Sequence, residues 1–419
     1  MHTLKIIKPY KNLKGTINLP ASKSESNRLM IIKHLSNEKI SVENLSGADD
    51  IKILSQALSK INNSKNNDDT ICKINVSDSG TAMRFLCALL SVTPGKWLLT
   101  GSERMKQRPL KPLVDALKIL NADINYTEKT GFPPILIKGK KLKNNKTEIL
   151  SNVSSQYISA LLLIAPALDN GLILKLKGKI ISESYISMTL KILDTFGIKI
   201  QKTQDEIIIK KQNYKAKTYK IESDWTAASY WFEMACLADD VDIFLKGLKK
   251  NSFQGDSILV EIYKNFGVKS VFENNGLRLL KTNIKKPDFF NFNFISNPDI
   301  AQTIAATCIG MNINAELTGL NNLYIKETNR LLALKNEFDK LKSETEIINN
   351  KKFIIKKSEN TEIKNIIFDT YNDHRMAMCL APLAICFNEI NINNPDVVKK
   401  SYPEFWDDLE KIGFELTIK

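Results

Sequence analysis

The chain has 419 residues, 43% hydrophobic and 25% charged, which excludes a disordered protein and exceeds one ordinary core; two domains of about 200 residues are expected. A net charge of +14 suits anionic partners, but the Lys- and Asn-rich runs at 138–146, 210–217 and 349–357 lack interleaved aromatics, so small anionic metabolites are favoured over nucleic acid. No signal-peptide run opens the chain, no apolar run spans a bilayer, and the six cysteines form no C-x-x-C pair, which points to a cytoplasmic protein with free thiols.

In chain order, residues 1–20 alternate apolar and polar like a strand. In PASKSESNR (20–28) a proline ends that strand and Ser22, Ser24 and Ser26 follow. A helix starting here offers Lys23, Ser24 and its first amides to an anion, with Arg28 one turn beyond Ser24. The simpler alternative is a serine-capped helix with exposed charges. An amphipathic helix at 49–61 precedes a polar surface connection at 62–70. In DSGTAMR (78–84), Gly80 permits close approach of a ligand, Thr81 caps or donates, and Arg84 sits on the first helical turns. Here the alternative is a plain loop glycine and an Arg84 paired with an acid. ERMKQRP (103–109) adds Arg104 and Arg108, and a helix leading into a strand follows at 109–124.

VSSQYISALL (153–162) sets Ser154, Ser155 and Gln156 at another helix start, uncharged groups suited to ring hydroxyls. Helix–strand units follow at 184–200 and 255–270. Asp299, in NPDIAQT, is a cap or a base at a helix start. KETNR (326–330) places Lys326, Glu327 and Arg330 within one helical turn, either as a surface Glu–Arg pair or as a proton-moving carboxylate between ligand-holding cations. NDHR (372–375) places Asp373, His374 and Arg375 at the start of an apolar helix, MAMCLAPLAICF. A last helix–strand unit occupies 402–416.

The amphipathic helix recurs six times, at 49–61, 109–124, 184–200, 255–270, 328–341 and 402–416, about one per 70 residues, as repeated α/β units would require. A second helix set, at 79–92, 154–166, 224–238 and 299–310, is apolar over most of its circumference and is expected at the centre. Only seven of the 60 Lys and Arg residues are arginine, and six of those lie in the polar motifs above. A planar, permanent charge at such places suits phosphate and carboxylate. No P-loop, dinucleotide fingerprint, nucleophile elbow or metal-ligand spacing occurs.

PASKSESNR, SGTAMR, RMKQRP, VSSQYISALLLIAP, SESYISMTL, GDSILVE, PDIAQT, IKETNRLLAL, TYNDHRMAMCLAPLAI and KKSYPEFWDDL, in this order, resemble the 5-enolpyruvylshikimate-3-phosphate synthase family nearly end to end. The resemblance implies an α/β protein with the two-domain enolpyruvyl transferase fold (inside-out α/β barrel type), each domain built from three βαβαββ repeats. Residues 1–20 plus 225–419 would form one discontinuous domain and 21–224 an inserted one, with ligands in the cleft between them. The implied reaction moves the enolpyruvyl group of phosphoenolpyruvate to the 5-hydroxyl of shikimate 3-phosphate through a tetrahedral intermediate. The implied enzyme is a cytoplasmic monomer of the shikimate pathway, without cofactor, metal, nucleic-acid or membrane partner.

The same resemblance assigns proton transfer to Asp299, Glu327 and Lys23. It assigns phosphoenolpyruvate to Lys23, Gly80, Arg108, Gln156, Arg330, Arg375 and Lys400. It assigns shikimate 3-phosphate to Ser24, Arg28, Ser154, Ser155, Gln156, Ser182, Tyr185, Asp299, Asn322 and Lys326. Departures from the family wording are Ala21, Asp78, Phe85, Ser187 and Asn329, of which Asp78 puts a negative charge beside an anion-binding loop. Gly80 implies room for glyphosate in the phosphoenolpyruvate pocket. The related UDP-N-acetylglucosamine enolpyruvyl transferases differ in their opening and in a cysteine-bearing loop; here that loop reads GSERMKQRP.

Overall fold

The computed structural model describes residues 2–64, 70–152, 154–358, 363 and 365–419; residues 65–69 of the polar connection, and Val153 of the VSSQ motif, lie outside them. The chain forms two compact units, Met1–Ser22 with Glu222–Lys419, and Lys23–Ile221. Ala21 bridges Ser223, and the amide of Ser22 donates to the carbonyl of Glu222, so both passes of the first unit's chain end side by side.

One sheet plan recurs among the described residues. A parallel pair is extended by two antiparallel strands, as in Ile71–Asn75, Gly95–Thr100, Ile135–Gly139 and Asp123–Tyr126. The second unit repeats it with Lys146–Leu150, Leu172–Lys177, Glu206–Ile209 and Ile200–Lys202. Its third sheet is pared to two parallel strands, Ile40–Glu43 and Lys217–Lys220, at the place where the chain enters and leaves the unit. The first unit carries the plan three times. In one of these sheets the opening strand Thr3–Ile7 lies between Glu389–Asn393 and Glu415–Ile418, near the other end of the chain.

The helices apolar on all sides lie inside, as their composition requires. Ser155–Ile164 is buried at every position except Gln156, and it packs on Gly80–Val92. In the first unit Ala301–Gly310 packs on both Trp225–Leu237 and His374–Leu380. The expected continuous helix MAMCLAPLAICF is interrupted: His374–Leu380 gives way to a 3₁₀ turn, Ala381–Leu383, before Ala384–Phe387. Pro382 lacks the amide hydrogen that an α-helix needs there. All six thiols are free, those of Cys87, Cys236, Cys308 and Cys379 buried. No helix among the described residues is long and apolar enough to cross a membrane.

Candidate active site

In the second unit, polar side chains gather where helices begin. Lys23 opens the helix Lys23–Leu35 and its ammonium lies 3.0 Å from Asp50, in the first turn of Asp49–Ser64. Arg28, one turn further on, is buried and makes four hydrogen bonds. It donates from Nε to the Thr189 hydroxyl (2.7 Å), from Nη1 to the Ser24 carbonyl (2.8 Å), and from Nη2 to the Ser159 hydroxyl (3.2 Å) and the Tyr185 carbonyl (3.1 Å). Burial pulls its pKa down to about 10, which leaves it charged at neutral pH. One guanidinium thereby fastens three helices, Lys23–Leu35, Ser155–Ile164 and Glu183–Thr195, to one another. Ser182, with φ of 53°, turns the chain into the last of these, Glu183–Thr195.

Ser154 caps Ser155–Ile164 by accepting from the Gln156 amide, and the Gln156 side chain donates to the Thr81 hydroxyl at 3.3 Å. Thr81 belongs to the first turn of Gly80–Val92. Against Gly80 lies the fork of Arg108: a Cβ at Gly80 would fall 2.6 Å from its Nη1. Among the described residues no acid pairs with Arg84. It donates to the carbonyls of Gly80 (3.1 Å) and Pro109 (3.0 Å), and so ties the helix start to the segment that presents Arg108. Asp78 accepts from the hydroxyl of Ser102, which also caps the short helix Glu103–Lys106.

In the first unit the charges converge on Arg330, whose side chain is 1% exposed. Its Nε donates to Asp373 at 2.7 Å, Nη2 to Glu327 at 2.8 Å and Nη1 to Asp299 at 3.2 Å. Gln302, with its amide oxygen turned inward, accepts from Nε and Nη1 at 3.0 and 3.1 Å. Burial opposes the charge on Arg330, but Asp373, Glu327 and Asp299 outweigh it and hold the pKa above its ordinary value. Three more cations adjoin: Lys326 and Arg375 reach Asp299 at 3.5 and 3.2 Å, and Lys400 reaches Glu327 at 3.4 Å. Four cations crowded together here can share their charge between these carboxylates and an anionic ligand. Asn322, also buried, opens the 3₁₀ turn Leu323–Ile325 that leads to Lys326.

One local expectation changes. Lys326, Glu327 and Thr328 form a bend, and the helix begins only at Arg330, because the Asn329 side chain caps it by accepting from the Leu332 amide. Glu327 still meets Arg330, from outside the helix. The motifs name Asp373 without its partner, and neither Asp50 nor Gln302 is among the candidates; each is recognised by its contact with Lys23 or Arg330. Nearby, Asp256 accepts from Thr226 (2.6 Å) and Asn297 (3.2 Å), and burial pushes it up to about 6.

A family model described as EPSP synthase (3-phosphoshikimate 1-carboxyvinyltransferase) matches residues 7–409. A 3-phosphoshikimate 1-carboxyvinyltransferase of Bacteroides fragilis is 43% identical over 410 residues, covering 97% of each chain. One from Colwellia psychrerythraea is 33% identical over 427 residues, covering 97% of this chain and 99% of its own. A solved EPSP synthase from Acinetobacter baumannii superposes with a TM-score of 0.77 over 100% of both chains at 17% identity, a likeness of fold.

Proposed function

The chain belongs to the EPSP synthase (3-phosphoshikimate 1-carboxyvinyltransferase) family, and on that premise we propose how its residues divide the reaction. It transfers the enolpyruvyl group of phosphoenolpyruvate to the 5-hydroxyl of shikimate 3-phosphate and releases phosphate, a step of the shikimate pathway towards aromatic amino acids. The assignment of roles is carried by one observation: Asp299, Glu327 and Asp373 surround the buried guanidinium of Arg330, with Lys326, Arg375 and Lys400 at the edge of the group. Two of those carboxylates, Asp299 and Glu327, keep side-chain exposures of 14% and 15%, enough to meet a ligand while remaining in a weakly screened setting.

In this reading Asp299 accepts the proton of the attacking hydroxyl as its oxygen bonds to C2 of phosphoenolpyruvate. Glu327, protonated as the step begins and assisted by Lys23, delivers its proton to C3, and a tetrahedral ketal phosphate results. The C2–O bond to phosphate then breaks, Glu327 takes a proton back from C3, and the hydroxyl proton leaves with the phosphate. Arg108, Arg330, Arg375 and Lys400, with the amides at Gly80 and the amide of Gln156, hold the phosphate and carboxylate of phosphoenolpyruvate. Fixed cations of this kind stabilise charge without reorganising during the step. Ser24, Arg28, Ser154, Ser155, Gln156, Ser182, Tyr185, Asn322 and Lys326 hold shikimate 3-phosphate. Arg28 also fixes the helices of this group to one another, since four of its five N–H donors end on protein groups. Six free thiols support a reducing compartment, for which we propose the cytoplasm, and we propose a monomer.

Steady-state kinetics of two charge-removing variants test the division. Lys400→Met should raise KM for phosphoenolpyruvate at least about tenfold, and Lys326→Met should do the same for shikimate 3-phosphate, each the value of one charge-assisted hydrogen bond. Equal rises in both constants, or none, would defeat the assignment.

A further inference from the structure

The segment that delivers Asp373, His374 and Arg375 is built around an unfavourable turn. The amide of Asp373 donates to the Thr370 carbonyl at 2.8 Å, and the two central residues, Tyr371 and Asn372, both have positive φ, 52° and 55°. That is the pattern of a type I′ turn, whose first central position favours asparagine, aspartate or glycine. A tyrosine there lacks the short polar side chain that makes left-handed backbone tolerable. Something outside the turn must hold it.

The holding group is Glu337, which is 0% exposed. One carboxylate oxygen accepts from the Tyr371 hydroxyl at 2.6 Å; the other accepts from the Asp369 amide at 2.9 Å and the Lys340 ammonium at 2.7 Å. Lys340 in turn donates to the Ile367 carbonyl and the Asp369 carboxylate. Burial, and then the Glu337 carboxylate, push Tyr371 up to about 12, so its phenol keeps the proton it donates. Glu337 sits seven residues after Arg330 in the same helix, Arg330–Asp339. At 100° per residue that is two turns on, the same face. One helix face therefore grips the 369–375 segment twice, through Arg330 on Asp373 and through Glu337 on Tyr371 and Asp369. Asp373 in turn caps the helix that starts at His374 by accepting from the Arg375 amide at 2.9 Å.

We infer that Tyr371 and Glu337 are positioning residues for the anion-binding arginines: their hydrogen bond maintains the left-handed turn that sets Asp373 against Arg330 and aims Arg375. The inference rests on the assignment of Arg330 and Arg375 to phosphoenolpyruvate proposed above. Neither residue touches the reacting atoms. Their loss is felt as a misplaced Arg375, in binding of one substrate rather than of both.

Tyr371→Phe tests this most cleanly, because it removes one oxygen and keeps the ring. Steady-state constants for both substrates are measured on Tyr371→Phe, Glu337→Gln, the double variant and Arg375→Gln, with a thermal melt of each to confirm folding. Tyr371→Phe should raise KM for phosphoenolpyruvate about fivefold. KM for shikimate 3-phosphate should stay within about twofold. The double variant should be no worse than Glu337→Gln by more than about twofold, as two ends of one bond require. If Arg375→Gln raises KM for phosphoenolpyruvate and Tyr371→Phe does not, the positioning role is overturned while the site assignment stands. Equal rises in both constants for Tyr371→Phe also overturn it. If Arg375→Gln leaves that constant unchanged, the site assignment fails and this inference fails with it.

Discussion

Gly80→Ala is a small perturbation whose effect follows from three distances. The new methyl would lie 2.6, 2.9 and 3.0 Å from Nη1, Nη2 and Cζ of Arg108. Comfortable contact between such atoms begins near 3.5 Å, so the guanidinium must retreat by roughly 1 Å. The obstacle is the free end of a flexible side chain, and Gly80 does not have the positive φ that would exclude alanine, so the backbone need not move. Alanine also favours the helix that begins there. Folding is thus spared and the ligand is not. On the proposed assignment, a hydrogen bond of about 2.8 Å from Arg108 to phosphoenolpyruvate, stretched by that retreat, would pass beyond bonding range. Losing one charge-assisted bond costs about 1.5–3 kcal/mol, or roughly 10- to 150-fold in affinity. Steady-state kinetics should show KM for phosphoenolpyruvate raised by at least about tenfold, with KM for shikimate 3-phosphate within about threefold and the melting temperature unchanged. The same crowding should weaken inhibition by glyphosate. A KM for phosphoenolpyruvate within about threefold of wild type, or unchanged glyphosate inhibition in an active variant, would refute the placement of Arg108 at that ligand.

Two further substitutions probe charges that serve no assigned step. Glu233 is fully buried, neither carboxyl oxygen has a hydrogen-bond partner among the described residues, and burial pushes its pKa well above the ordinary value. Glu233→Met should stabilise the fold by about 1–3 kcal/mol at neutral pH in denaturant titrations. Because the folded pKa lies above the unfolded value of about 4.3, wild-type stability falls as pH rises from there towards the folded pKa. The advantage of the variant should therefore shrink in acid; a variant less stable than wild type at neutral pH would contradict this. Asp78→Asn removes an exposed negative charge two residues ahead of Gly80, where its water-screened repulsion of a bound anion is worth about 0.3–1 kcal/mol. KM for phosphoenolpyruvate should fall about two- to fivefold at low ionic strength and less at high; a rise, or no dependence on salt, would count against the effect.

The helices were legible because apolar residues at three- and four-residue spacings must face a core, and the uniformly apolar ones, such as Ser155–Ile164, must sit within it. The start of the Arg330 helix was misplaced because Asn329 competes for the backbone as a cap, a role it shares with ordinary turn residues. Pairings between remote segments left no mark in any local window. Arg28 is satisfied by Ser159 and Thr189, 131 and 161 residues away, and Arg330 meets Asp373 across 43. Motifs therefore indicate which residues are chemical, while tertiary contacts show which of them, like Arg84 on the carbonyls of Gly80 and Pro109, hold other segments in place.

The most direct measurement combines purified protein with phosphoenolpyruvate and shikimate 3-phosphate and follows inorganic phosphate and the enolpyruvyl product by mass spectrometry, for wild type, Asp299→Asn and Glu327→Gln. Wild type should form the two products in equal amounts, and each variant should lose about 10²- to 10⁴-fold in kcat while remaining folded. Absence of the enolpyruvyl product from folded wild type, or turnover by both variants within about tenfold of it, would contradict the assignment of proton transfer to these two carboxylates.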